Sequence, residues 1–138
     1  MARTVRVDIV TPDKLAYSGD VNMVIARATD GDLGVLPGHV PLIAALNTWP
    51  LRLLTADGEH QISLCGGFIE VQPEKVTILA SCAELPEEID VERAEAAKKR
   101  AEERLSAASS EVDEARAHAA LSRAIVRLKV ASFGAKHH

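Results

Sequence analysis

The chain has 138 residues, 16 basic and 20 acidic, for a net charge of -4, with 3% aromatic residues. That length suits one ordinary domain or a small domain with an appendage, and the acidic balance removes the footprint of a non-specific nucleic-acid binder. No apolar run approaches the ~18 residues that span a bilayer and no leader core precedes the first alternating segment, so a soluble, cytoplasmic protein is expected.

In chain order, Val5, Val7 and Ile9 alternate with Arg6 and Asp8, the period of a half-buried strand. Segments 21–28, 51–54, 62–65, 68–71 and 76–80 repeat the theme at short spacing. Asp30-Gly31 and Asp57-Gly58 supply the positive φ of tight turns, and Gln72-Pro73-Glu74-Lys75 puts Pro at its favoured turn position. Over residues 1–86, many short strands with regular turns predict a β-sandwich or barrel. Residues 30–42 read as a long loop stiffened by Gly and Pro. Its Leu33, Val35 and Leu36 suit a core or a partner equally. Cys65 and Cys82, 17 apart in apolar stretches, lack any metal-ligand spacing and read as two buried reduced thiols.

The composition changes near residue 88. All six prolines and seven of the eight glycines precede it, whereas the last 50 residues hold 13 of the 22 alanines. Charge shifts from -6 over residues 1–88 to +2 over residues 89–138. Residues 87–138 therefore read as two helices. Asp90 caps the first, which runs to about Ser106. Ser110 opens the second as a capping box and Gly134 follows its expected end near Ser132. The four-residue break between them predicts an antiparallel hairpin. Its expected seam (Val91, Ala94, Ala97, Ala101 and Leu105 against Val112, Ala115, Ala119 and Leu128) is alanine-rich and buries little area, so the hairpin is marginal alone.

No phosphate loop, GxGxxG, GxSxG or HExxH occurs, and the histidines are scattered apart from the terminal His137-His138. No catalytic residue, metal site or catalytic cofactor is expected. The remaining pattern is arginine. Arg123 and Arg127 share one helix face, Arg93 and Arg100 another, and folding the helices antiparallel lets the stripes converge. Converging guanidinium forks bind phosphate, but a solvated face neutralised by nearby glutamates accounts for the spacing as well.

Several stretches together resemble one family: VDIVTPDKLAYSGDV, GDLGVLPGHVPLI, LCGGFIEVQPEKVTILA and IDVERAEAAKKRAEERL. The chain is similar over essentially its whole length to epsilon subunits of bacterial F-type ATP synthases, counterparts of the mitochondrial delta subunit. The resemblance implies a non-catalytic subunit of the rotary, proton-translocating central stalk, peripheral on the cytoplasmic face of the plasma membrane. It implies that residues 1–86 form an antiparallel β-sandwich on the gamma subunit and c-ring, with Asp30, Leu33, Leu36 and His39 at the interface. It also implies a regulatory hairpin that, extended, reaches the alpha/beta ring and blocks ATP hydrolysis. In some members the folded hairpin binds ATP as a regulatory ligand through an Ile/Leu-Asp-x-x-Arg-Ala pattern. Residues 89–94 match that pattern, which implies an ATP site of Glu84, Ile89, Asp90, Arg93, Ala94, Arg100, Arg123 and Arg127. The alternative is a stand-alone ATP-sensing adaptor, whose sandwich would expose no large apolar patch.

Overall fold

The computed structural model describes residues 3–136; His137 and His138 lie outside the described residues. Ten strands come first: β1 (Val5–Val10), β2 (Leu15–Val21), β3 (Met23–Ala28), β4 (Gly31–Val35), β5 (Leu42–Leu46), β6 (Trp49–Thr55), β7 (Gly58–Leu64), β8 (Gly67–Val71), β9 (Lys75–Ala80) and β10 (Ala83–Glu84). A 3-10 turn (Pro86–Glu88) then leads into α1 (Val91–Ser106) and α2 (Glu111–Lys136). This is the expected α+β order, a β-sandwich followed by two helices.

Hydrogen bonds link the strands in the order β10-β7-β6-β3-β5-β8-β9-β1-β2, with β4 on β3. The sheet curls until β2 approaches β6. Alternation does the rest: Val5, Val7 and Ile9 point into one shared core with Val24, Leu53, Ile69 and Ile78, all essentially inaccessible. Most neighbours are antiparallel, as expected, but β1 and β9 run parallel, from Arg6↔Lys75 to Val10↔Leu79. Alternation is blind to strand direction, and no turn joins these two strands to dictate it. A second difference lies at residues 30–42. Thr29-Asp30 makes a two-residue turn into Gly31 (φ 127), and β4 pairs back on β3. The irregular loop therefore starts only after Val35.

The cysteines are not free thiols. Cys65 and Cys82 form a disulfide, with Cα atoms 5.1 Å apart. The turn at 72–75 folds β9 back on β8 in a register that pairs Gly67 with Ala80. Two residues further out on each side, the same register sets the cysteines opposite each other. Gly67 (φ 140) is required here, because a Cβ would lie 2.1 Å from the Leu79 carbonyl oxygen.

Both predicted N-caps are present. Asp90 Oδ1 accepts from the Arg93 amide at 3.1 Å, and Ser110 Oγ from the Asp113 amide at 3.1 Å. One cleft groups the start of α1 with Arg127, and another groups Arg104 with Asp113 and Arg116, so the helices are antiparallel. The seam on α2 is out of phase with the expectation. Ala117 and Ala124 are buried with Ala94 and Ala101, whereas Ala115, Ala119 and Val112 are exposed. A helix this rich in alanine carries almost no contrast between faces, so its phase is set by what it docks on. Val91 of α1 is likewise 42% exposed. Nor does Gly134 end α2. The helix passes through it to Lys136, and the missing side chain lets Pro86 approach, since a Cβ there would lie 2.8 Å from Pro86 Cβ.

Candidate functional sites: an arginine-lined cleft and a bare sheet face

The first site lies where β10, the 3-10 turn and the two helices meet. A cleft of about 330 Å³ is lined by Glu84, Glu88, Asp90, Arg93, Ala94, Ala97, Arg100 and Arg127. Each side chain has a local reason to be there. Glu84 ends β10 and makes a half-buried ion pair with Arg127. Glu88 Oε1 accepts from the Leu85 amide at 3.0 Å while Oε2 takes Lys14 Nζ at 2.8 Å. The Lys14 ammonium, first, and the Leu85 amide hold the Glu88 carboxyl below its usual range, and Glu88 raises Lys14 in return. Asp90 is engaged in capping α1. All three acids thus have partners, whereas Arg93 and Arg100 make no ion pair among the described residues. Two guanidinium groups without carboxylates, beside a third that is held in place, can meet a polyanion. Ala94 and Ala97 leave the cleft floor free of bulk.

Six of the eight residues expected at the site line this cleft. The other two stand apart from it. Ile89 is buried in the turn ahead of α1, and Arg123 is exposed one turn before Arg127 on α2. Glu88 and Ala97 line it without having been expected there; Glu88 becomes legible only once Lys14 is known to reach it across the fold.

Two larger clefts flank α2. One, about 650 Å³, brings Trp49, Arg52 and Gln61 of the sheet against Lys98, Leu128, Lys129 and Phe133. In it the indole of Trp49 has the Arg27 guanidinium 4.0 Å and the Lys129 ammonium 5.3 Å from its ring centre, contacts that attract a cation to an aromatic face. The other, about 630 Å³, lies between Tyr17, Asp57, His60, Pro86 and Phe133. Burial raises the Tyr17 phenol above its ordinary pKa.

The second site is the outer face of β5, β8, β9, β1 and β2. Register places Ala45 opposite Phe68, Phe68 opposite Leu79, Leu79 beside Val10, and Val10 opposite Leu15. One apolar row therefore crosses five strands on the side away from the core. Phe68 (57%), Leu79 (54%) and Leu15 (58%) are exposed, and Ile43 (72%) shares the outer side of β5 with Ala45. Of the four expected interface residues, Leu36 is exposed close by in sequence and His39 Nδ1 lies 2.7 Å from the Val40 carbonyl. Asp30 sits in the exposed β3–β4 turn, and Leu33 packs partly against the core. The row itself escapes a sequence reading because β5, β8 and β9 carry apolar residues on both faces, and alternation cannot say which face lacks a cover.

Comparison with known proteins gives the same two-part division. A family model described as the beta-sandwich domain of the ATP synthase Delta/Epsilon chain matches residues 4–86, and one described as its long alpha-helix domain matches residues 87–132. The ATP synthase epsilon chain of Alkalihalophilus pseudofirmus is 54% identical over 104 residues, 75% of this chain and 78% of that one. The Bacillus subtilis epsilon chain is 51% identical over 107 residues, 78% and 81% of the two chains. Among solved structures, a chain of the Euglena gracilis mitochondrial ATP synthase, in an OSCP/F1/c-ring assembly, matches with a TM-score of 0.78 at 25% identity, covering 94% of this chain and 81% of that one. On sequence and fold together, the chain belongs to the delta/epsilon chain family of F-type ATP synthases.

Proposed function

We propose that the protein is the epsilon component of a rotary ATP synthase's central stalk, seated by its sandwich on a gamma-type subunit and the c-ring and regulated through its hairpin. The observation that carries this reading is the bare apolar row from Ala45 to Leu15. An isolated sandwich gains nothing from such a surface, whereas a partner that covers it does. The row also disfavours a stand-alone adaptor. Support comes from the Euglena gracilis relative, which was solved within an F1/c-ring assembly. The seat predicts a peripheral position on the cytoplasmic face of the membrane; no helix among the described residues is long and apolar enough to cross it.

The hairpin is the regulatory part of the proposal. Released from the sandwich, it reaches the alpha/beta ring and inhibits ATP hydrolysis; held down, it permits turnover. ATP is the ligand proposed for the arginine-lined cleft, with Asp90 and Ala94 on the adenine side and Arg93, Arg100 and Arg127 on the phosphates. It favours the docked hairpin only by its preference for that state, worth about 2.7 kcal/mol at a hundredfold excess over the dissociation constant. The chain turns nothing over itself.

Two measurements test this. Removing everything after Glu88 from the assembled enzyme should raise ATP hydrolysis and leave coupling intact; an unchanged rate would place inhibition elsewhere. Calorimetry on the isolated chain should show one ATP site without hydrolysis, weakened by Arg100→Ala and Arg127→Ala and least affected by Arg123→Ala. Equal affinities throughout would remove ATP from this cleft.

A further inference from the structure

The Cys65–Cys82 disulfide stands where the sheet hands over to the hairpin. Cys82 is followed at once by β10, a two-residue strand whose ladder consists of Ala83↔Leu64 and Glu84↔Ser63. So short a terminal strand opens readily by itself. Yet Glu84 is the residue that grips Arg127 of α2, and the next residues form the turn that leads into α1. Apart from the sulfur bridge, the base of this strap is held by the Cys65 amide donating to the Cys82 carbonyl at 3.0 Å and by the Ser81 hydroxyl donating to the Cys65 carbonyl.

We infer that the Cys65–Cys82 pair is a redox latch on the hairpin. Closed, it keeps β10 on β7, Glu84 against Arg127 and α2 on the sheet. Opened, it lets β10 lift from β7, and the grip on α2 loosens with it. The inference deepens the regulatory reading above by adding a control that acts at the same strap whether or not a nucleotide is bound.

The electron donor is a dithiol. Its thiolate attacks Sγ of Cys82, which is half-buried, in preference to the buried Cys65. The bridge breaks, Cys65 leaves as a thiolate and takes up a proton, and a mixed disulfide joins Cys82 to the donor. The donor's second thiolate then displaces Cys82, which is protonated in turn. The protein gains two electrons and two protons, and the donor ends as a disulfide.

The test compares the full chain oxidised and after dithiothreitol, read by amide hydrogen exchange and by the emission of Trp49, the chain's single tryptophan. On reduction, exchange across β10 and the α2 segment 124–133 should accelerate about tenfold, with β3 and β6 changing less than about twofold. Trp49 emission should shift as Lys129 leaves its ring. The double variant C65S/C82S should behave as the reduced form and ignore dithiothreitol; should it fail to fold, the reduced wild type still carries the comparison. Faster exchange in β10 with α2 and Trp49 unmoved would make the bridge a plain staple and overturn the latch, as would equal exchange in both states. A parallel ATP titration should show about fivefold weaker binding after reduction. Binding in neither state would sink the nucleotide reading alone, because exchange in α2 decides the latch without it.

Discussion

The sandwich has two outer faces with opposite fates. Over β6 and β7 lies α2, and it covers part of their outer face: Pro50 and Ser63 are inaccessible although they alternate with the core residues Leu51 and Ile62. On β5, β8, β9, β1 and β2 the apolar row is left open, with Phe68, Leu79 and Leu15 exposed. One outer face is thus covered within the chain, and the other is left open. The difference separates a contact the protein makes reversibly with itself from one it reserves for another molecule. The internal cover is thin, because the α1–α2 seam is built mostly on alanine and contributes little buried area.

The comparison can be broken first on the covered side. Val130 of α2 is fully buried, and Val130→Asp places an unpaired charge there, costing about 3 kcal/mol or more for the docked helix. Thermal melts followed by Trp49 emission should then show α2 leaving early while the sandwich melts near its usual temperature. A single unchanged transition would mean that α2 does not depend on this contact. On the bare side, Phe68→Asp or Leu79→Lys should leave the melting temperature nearly unchanged but weaken binding to a gamma-type partner about 30-fold, the order expected of an interface hot spot. Undiminished binding would take the row out of the interface. Within the hairpin, Ala124 is fully buried at the helix seam, and Ala124→Leu should destabilise the docked form by about 1–3 kcal/mol through overpacking, measured in urea. A more stable hairpin would show that the seam has room to spare.

The smallest expected effect is electrostatic. The folded Glu88 carboxyl titrates below its ordinary range and Lys14 above it. The Glu88 contribution is therefore present above the unfolded carboxyl pKa and fades as pH falls through the lower folded value. The Lys14 contribution is present below its unfolded pKa and fades as pH rises through the higher folded one. The pair acts across neutral pH, and a shallow loss of hairpin protection below about pH 4 should appear in amide exchange. Glu88→Gln should abolish that pH response; a response that survives belongs to another group.

What the sequence made legible follows from which signals are local. Asp90 and Ser110 cap their helices as read, because a cap is a matter of three residues. The hairpin turns at Gly31 and Gly58 came through for the same reason. The cysteine pairing was legible in principle: with the turn at 72–75 and the Gly67↔Ala80 register accepted, counting outward brings Cys65 opposite Cys82. Spacing alone concealed it. The arginines of the cleft were readable as types on faces, but which of them converge depends on the phase of α2. That phase is fixed by docking on β6 and β7, so Arg127 lines the cleft and Arg123 does not. Least legible was the bare row, which exists only once β5, β8, β9, β1 and β2 are side by side.

The parallel ladder between β1 and β9 governs how the molecule is assembled in time. The strand Val5–Val10 is synthesised before its neighbour Lys75–Ala80, which emerges some 70 residues later. Until then β1 has only β2 as a strand partner, and the core around Val5, Val7 and Ile9 lacks Val76 and Ile78. Joining two strands so far apart closes a long loop before any reward is returned, which makes this the slow step of refolding, while the helices form locally and fast. The nascent chain must therefore carry β1 with one edge unpaired while the intervening strands are made, and the sandwich closes only when β9 arrives.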